Sequence, residues 1–383
     1  MKVLLASSSS GSHGGGELYL LYLGRALVER GHDVTLWASS HPRMDELASD
    51  FATIGPVVRS PYANTYDRRG RSLTSYFDAT TASRIAAEWR QIAPDVIHVN
   101  KQNLEDGLDL LQAAEASGCA HLATVHLTQS ARYLRAQLAA PRDWVARRAL
   151  KAYGGLLVAV LEKRRTDLAE FIGASSRTRV IPNGVPLLDL SRRESARNRR
   201  EEFGVTPDQL LFVAVGRLVP QKRPLTFLET AQRVLRVMPQ ARFLWVGDGP
   251  LAGEWDDWLA AHELGAFVRR LDWQKDVASL LLAADVFLHV AEYEGLPLAI
   301  LEAMSAALPC AISENLLAEM PFLGAHTAVA VNDGVEWLRP LHTPEARAAL
   351  GSAARRLAEE EFSFGTMAAR YEALYEESVR MRA

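Results

Sequence analysis

Leu210-Leu211-Phe212-Val213-Ala214-Val215-Gly216-Arg217-Leu218-Val219-Pro220-Gln221-Lys222-Arg223-Pro224 is the stretch whose reading decides the fold. Its first six residues form a continuous apolar run, the pattern of a strand buried on both faces in a helix-covered parallel sheet. A turn containing Gly216 follows, and Pro224 suits the first turn of a helix. The chain begins in the same way. A strand over Lys2–Ser7 leads through serines and glycines into a helical pattern over Glu17–Arg30. A chain that opens twice on strand, loop and helix contains two doubly wound α/β halves.

Further strands in the first half are predicted at Asp33–Ala38, Asp95–Val99, His121–Val125 and Gly155–Val160, with a helix over Leu104–Ala116. The second half continues with Ala241–Val246, Ala266–Leu271, Ala284–Val290 and Leu308–Ile312. Between the halves the chain turns polar, with Arg192, Arg193, Arg197, Arg199 and Arg200 close together. The organisation read from this is a first domain at 1–185, a linker at 186–207, a second domain at 208–363 and a final helix at 364–383. That helix carries Met367, Tyr371, Leu374 and Tyr375 on one stripe. Sheets of this kind bind ligands beyond the carboxyl ends of their strands, so a cleft between the domains is the expected site.

A length of 383 residues agrees with two domains. The net charge of −3 gives no general attraction to nucleic acid or anionic membranes. Cys119 and Cys310 stand alone in apolar stretches and read as free thiols. The apolar run after Met1 is too brief for a signal peptide, and no run approaches the ~20 residues of a membrane span. The expected location is the cytoplasm.

Three segments carry chemistry. Gly11-Ser12-His13-Gly14-Gly15-Gly16 lies between the first strand and the first helix, where glycines allow close approach to a ligand and the helix N-terminus favours anions. A nicotinamide-binding loop fits poorly. His13 occupies the place of the second glycine, and Trp37-Ala38-Ser39-Ser40 supplies no acid for a ribose. Arg217 and Lys222 place two cations at a strand-to-helix junction, either as a solvated basic turn or as ligands of a diphosphate. In Glu294-Gly295-Leu296-Pro297-Leu298-Ala299-Ile300-Leu301-Glu302, Pro297 opens a helix, so Glu294 precedes it and Glu302 lies inside it. Their separation of roughly 10–12 Å exceeds the roughly 5–9.5 Å of a paired acid and base across one glycosidic bond. It suits one carboxylate on a sugar and another on a ribose; a buried structural role for Glu302 is the other reading.

In this order the segments resemble the retaining GT-B glycosyltransferases of glycosyltransferase family 4 (glycosyl transferases group 1). Ile181-Pro182-Asn183-Gly184-Val185 resembles the family's Pro-Asn-Gly segment, and His126 the histidine of its first domain. The resemblance implies two Rossmann-like domains facing across a deep cleft, acceptor in the first and nucleotide-sugar in the second, with the final helix returning to the first. It implies diphosphate binding by Arg217 and Lys222, ribose binding by Glu302 and sugar contacts from Glu294 and His126. Gly15 and Gly16 would border the diphosphate and acceptor, Leu271 would offer backbone groups to the base, and Gly295, Leu296, Pro297 and Leu298 would complete the donor site. Leu161, Ala307 and Asn315-Leu316 depart from the serine, glycine and glycine pair common in the family.

The implied reaction moves a hexose-type sugar from a UDP- or GDP-linked donor to a glycan, lipid-linked or small-molecule hydroxyl, with no metal or other cofactor. Asp106-Gly107-Leu108-Asp109 lacks metal-binding spacing. A nucleotide-sugar 2-epimerase and a non-catalytic nucleotide-binding scaffold share the architecture and remain alternatives. Arg132–Lys151 carries Arg132, Arg135, Arg142, Arg147, Arg148 and Lys151 against Asp143, interleaved with apolar residues. It reads either as an ordinary helix with solvated arginines or as a peripheral membrane contact.

Overall fold

The computed structural model describes residues 1–9, 14–198 and 200–382. Gly11, Ser12 and His13 of the glycine loop, and Arg199, lie outside the described residues. The chain divides into two units, Met1–Gly184 with Phe364–Ala383, and Val185–Ser363.

The first unit holds a parallel sheet of β1 (Lys2–Ser7), β2 (Asp33–Ser39), β3 (Val57–Ser60), β4 (Val96–Asn103), β5 (Ala120–Leu127), β6 (Leu156–Ala159) and β7 (Thr178–Val180). Their order is β3-β2-β1-β4-β5-β6-β7. The second holds β8 (Leu210–Val215), β9 (Ala241–Val246), β10 (Val268–Leu271), β11 (Val286–His289), β12 (Cys310–Ser313) and β13 (Ala328–Val331), ordered β10-β9-β8-β11-β12-β13. Each sheet therefore reverses direction once, between β1 and β4 and between β8 and β11. Those are the switch points at which doubly wound sheets bind ligands.

Apolar side chains cover both faces of the central strands. Leu4, Ile97, Val99 and Ala123 meet Ile85, Trp89 and Leu111 of helices in one core of the first unit. In the second, Phe212 stacks on Phe243 at 4.9 Å while Phe227, Trp245 and Trp255 close the same layer. The helix Phe364–Arg382 packs into the first unit, with Met367, Tyr371, Leu374 and Tyr375 buried. Its Tyr375 hydroxyl bonds His98 Nδ1 at 2.8 Å, and His98 Nε2 bonds Thr124 at 2.7 Å. Cys119 and Cys310 are free thiols.

Segment 186–207, read above as a linker, folds within the second unit. Arg197 and Arg200 both pair with Asp285, which also accepts the Leu211 N–H. The arginines that made the segment look solvated thus anchor it beneath β8 and β11. Arg193 donates to the Ala306 carbonyl and Arg355 to that of Ser305, capping the helix Leu298–Ser305. That helix ends in a Schellman turn. Leu308 N–H returns to Ala303 O at 3.0 Å and Ala307 N–H to Met304 O at 2.9 Å, with Ala307 at φ +50°.

Two outcomes follow. Left-handed backbone costs a residue with a Cβ ~1 kcal/mol or more, so Ala307→Gly should stabilise the protein by ~0.5 kcal/mol after the glycine's larger unfolded-state entropy is counted, read as a raised Tm. Burial holds the His98 pKa at about 3 and that of the half-buried His126 at about 4, so both rings are neutral in the folded protein at pH 7. An unfolded histidine takes a proton near pH ~6.5. Their contribution is therefore intact above pH ~6.5 and is lost as pH falls toward 4 and 3. In His98→Gln, the decline of stability with acid should be shallower by about 1 kcal/mol per pH unit, measured by denaturation at several pH values.

Candidate active site

Within the second unit the chemistry gathers at the switch point. The loop after β8 carries Arg217 and Lys222; the loop after β11 carries Glu294 and runs into the helix Leu298–Ser305. Glu294 is 5% exposed. Lys222 Nζ ion-pairs with its Oε1, His289 Nε2 reaches the same oxygen at 3.2 Å, and Gln221 Nε2 reaches Oε2 at 3.3 Å. Burial works to raise the Glu294 pKa, but the Lys222 ammonium and His289 outweigh it and hold the carboxyl at about 2. Glu294 is therefore a carboxylate at any working pH. Burial lowers the His289 pKa against the opposing pull of Glu294, so this imidazole stays neutral beside the pair.

Backbone contacts fix these loops to each other. Glu292 N–H donates to Gln221 O at 2.8 Å, and Gln221 Nε2 donates to Tyr293 O at 3.0 Å. Asn315, at a departure from the family pattern, braces the same loop by donating to Glu292 O at 2.9 Å. Behind Arg217, Leu218 N–H donates to Asp248 O at 2.9 Å and the Trp245 indole to Gly216 O at 2.9 Å. A Cβ on Gly247 would lie 2.3 Å from Gly216 O, and one on Gly249 2.5 Å from Leu218 O. The Gly247-Asp248-Gly249 turn must be this bare for the two loops to pack.

Arg217 is exposed, and its side chain has no hydrogen-bond or ion partner among the described residues. Gly295, Leu296, Pro297 and Leu298 are buried beside Glu294. Pro297, expected in the first helical turn, is instead the N-cap with ψ 123°, and no side chain caps the turn that follows. An extended proline at this point lets Glu294 fold back toward Lys222. Glu302 is half-buried on the helix Leu298–Ser305. Leu271 ends β10 with its carbonyl accepting the Gly247 N–H at 2.9 Å, so that oxygen already braces the glycine turn.

The first unit has a second constellation at its own switch point. Gly15 and Gly16 begin the helix Gly15–Glu29. Asn100 Nδ2 donates to Gly16 O at 3.0 Å, so Asn100 Oδ1 is the acceptor facing His126 Nε2 at 2.7 Å. His126 Nε2 is then protonated and Nδ1 is left as an acceptor. Tyr19 meets the ring edge-on, with centroids 4.7 Å apart. Beside this, at the ends of β2 and β3, Ser39, His41, Arg43, Tyr62 and Asp67 line an open groove of about 510 Å3. Asp106 and Asp109 are consumed internally, Asp106 by Ser8 and Asn64 and Asp109 by Tyr62 and Arg68.

Asn100, Gln221, His289 and the Gly247/Gly249 turn escape the sequence reading. The turn had a signal, paired glycines directly after a predicted strand. Asn100 lies within β4 and His289 ends β11, with nothing local to mark either.

The Glycosyltransferase Family 4 profile matches residues 13–187 and the Glycosyl transferases group 1 profile residues 209–356. An Escherichia coli UDP-Gal:alpha-D-GlcNAc-diphosphoundecaprenol alpha-1,3-galactosyltransferase is 33% identical over 44% of this chain and 45% of its own length. The Bacillus subtilis putative glycosyltransferase EpsF is 27% identical over 42% of each. The chain thus spans a little under half the length of these two relatives. A D-inositol 3-phosphate glycosyltransferase of Kineococcus radiotolerans is 25% identical over 99% of this chain and 94% of its own. Among solved structures, Anabaena HepE, in complex with UDP and glucose, superposes with TM-score 0.76 at 19% identity, over 98% of this chain and 99% of that one. Sucrose-phosphate synthase from Thermosynechococcus elongatus superposes with TM-score 0.79 at 18% identity over the whole of both. With its two halves matched in order by these two profiles and two doubly wound sheets to carry them, the chain belongs to the GT-B-fold glycosyltransferases of family 4 (group 1).

Proposed function

We propose that this protein transfers a hexose-type sugar from a UDP- or GDP-linked donor to a hydroxyl of a glycan, lipid-linked or small-molecule acceptor, with retention at the anomeric carbon and without a bound metal. The observation that carries the reading is the charge arrangement at the β8/β11 switch point. One cation, Arg217, is uncommitted, and a second, Lys222, is held in place by a carboxylate at the uncapped start of a helix.

Breaking the bond between the anomeric carbon and the diphosphate leaves negative charge on the leaving oxygen. Arg217, the remaining N–H groups of Lys222 and the helix N-terminus meet that charge without reorganising. Glu294, permanently ionised, donates no proton; it positions Lys222 and accepts from sugar hydroxyls. The neutral His126, with Nδ1 as acceptor, suits another sugar hydroxyl. Glu302 is assigned to the ribose. The acceptor hydroxyl attacks the face the diphosphate leaves, and its proton passes to the leaving phosphate oxygen. The open groove at the ends of β2 and β3 is assigned to the acceptor. The name of the Escherichia coli relative supports a nucleotide-sugar donor and that of the Kineococcus radiotolerans relative a glycosyltransferase, and both leave this chain's sugar and acceptor open.

Thermal shifts with UDP, GDP, ADP, CDP and dTDP test the donor site. One diphosphate at ~100 times its Kd adds ~2.7 kcal/mol, a rise of ~2 °C or more for units of this size. No shift with any of them at millimolar ligand overturns the proposal. Once a donor is found, NMR of the first-formed product reads retention, and an EDTA-treated assay reads metal independence; inversion, or loss restored by magnesium, would defeat those parts.

The two cations should behave differently. Arg217→Ala should lower kcat/KM by ~100-fold with stability unchanged within ~0.5 kcal/mol. Lys222→Ala strands the buried Glu294 carboxylate and should also cost about 2–4 kcal/mol of stability, seen in urea denaturation of the apoprotein. Equal stability of the two variants would contradict the ion-pair account.

A further inference from the structure

Among the described residues, no helix is long and apolar enough to cross a membrane. One face of the first unit is nonetheless unlike the rest of its surface. Phe77 is 69% exposed, Leu138 65%, Tyr133 58%, Trp144 56% and Leu134 41%. Soluble surfaces seldom gather large apolar side chains this closely without a partner. They are physically continuous. Asp143, next to Trp144, accepts the Ala131 N–H at 2.7 Å and the Arg132 N–H at 3.1 Å, tying the 130–138 loop to the helix Ala139–Ala152. Arg148 lies 5.7 Å over the Trp144 ring and donates to the Tyr76 hydroxyl at 3.0 Å, and Tyr76 packs edge-on against Phe77.

The charges on this face correct one sequence expectation and sharpen another. Arg142, counted there among the surface cations, is buried and paired with Glu105. Arg132, Arg135 and Lys151 are exposed without a carboxylate partner among the described residues, and Arg147 and Arg148 lie over the rings of Phe171 and Trp144. The one acid of the stretch, Asp143, is occupied by backbone N–H groups. Arg135 and Leu138 both sit in left-handed backbone, φ +51° and +53°, a conformation unfavourable for residues with a Cβ. Outward rings and aliphatic tips surrounded by uncompensated cations complement an anionic bilayer, with apolar tips in the acyl boundary and guanidinium groups at the phosphates.

We propose that the face formed by Phe77, residues 132–138 and Trp144 with Arg148 docks the protein on an anionic membrane surface. The proposal goes beyond sugar transfer and does not depend on the donor site. Full-length protein is sedimented with phosphatidylcholine vesicles with and without phosphatidylglycerol, at low and high salt. Wild type should pellet only with phosphatidylglycerol present and be released by salt. Leu138→Ser/Trp144→Ser should weaken binding roughly tenfold or more, and Arg132→Ala/Arg135→Ala about tenfold. Both variants should keep wild-type Tm and the same nucleoside diphosphate shift, which separates loss of docking from loss of fold or donor site. A wild type that stays in the supernatant, or a Leu138→Ser/Trp144→Ser variant that pellets as well as wild type, overturns the proposal. So does concentration-dependent self-association abolished by that variant without vesicle binding, which would make a second copy the occupant.

Discussion

A carboxylate as buried as Glu294 persists only because Lys222, His289 and Gln221 converge on it. Desolvating an isolated carboxylate costs several kcal/mol. A cation ~4 Å away returns ~4 kcal/mol at an effective dielectric of 20. The loop after β11 therefore keeps its path only while the loop after β8 keeps Lys222 in place. The Gly247/Gly249 turn is a condition of that placement, since its lack of side chains lets Gly216 and Leu218 lie against the β9 loop. The pair is electrically neutral, so the field a ligand meets is set by what remains: Arg217, unpaired among the described residues, and the open helix start.

The first unit solves a similar problem with an amide. Asn100 joins the carbonyl of Gly16 to the ring of His126, so the start of the first helix and the end of β5 share one support. Charge is also buried here, as structure. Lys101 is fully buried, and burial lowers its pKa to about 8 against the pull of Asp106, Asp109 and Glu105. Glu105 in turn accepts from Arg142, Ser72 and Tyr66. This network sets the path of residues 61–78 over the strand ends, and through Arg142 it seats the helix that carries Trp144. The groove at the ends of β2 and β3 and the apolar basic face thus rest on the same buried ions.

What could be read from the sequence follows from burial. The central strands are largely apolar and announce themselves, and β1, β8 and β9 begin and end where the sequence places them. The missed strands β3, β7 and β13 are three or four residues long, and Arg59 and Arg179 interrupt the first two. Candidate site residues whose type stands out after a predicted strand, Arg217, Lys222 and Glu294, were legible as candidates, and His126 through the family resemblance. Those that act through partners were not. His289 matters because Lys222 and Glu294 share its end of the strand, and Asn100 because Gly16 and His126 flank it. Segment 186–207 hides its fold for a similar reason: arginine-rich sequence reads as solvated, whereas Arg200 is buried on Asp285.

The protonation states narrow the chemistry these residues can perform. Glu294 is fixed as an anion by Lys222, and His126 and His289 are fixed as neutral rings by burial. None of the three supplies a proton at neutral pH to a leaving group of high basicity. A diphosphate needs none, because it leaves as an anion that cations and helix N–H groups stabilise directly. In the proposed transfer an acceptor hydroxyl still has a proton to lose, and the most basic group formed is the departing phosphate oxygen itself. Fixed charges and hydrogen-bond acceptors in each unit are matched to that proposed division of labour, in which the protein orients and stabilises while the substrates exchange the proton between themselves.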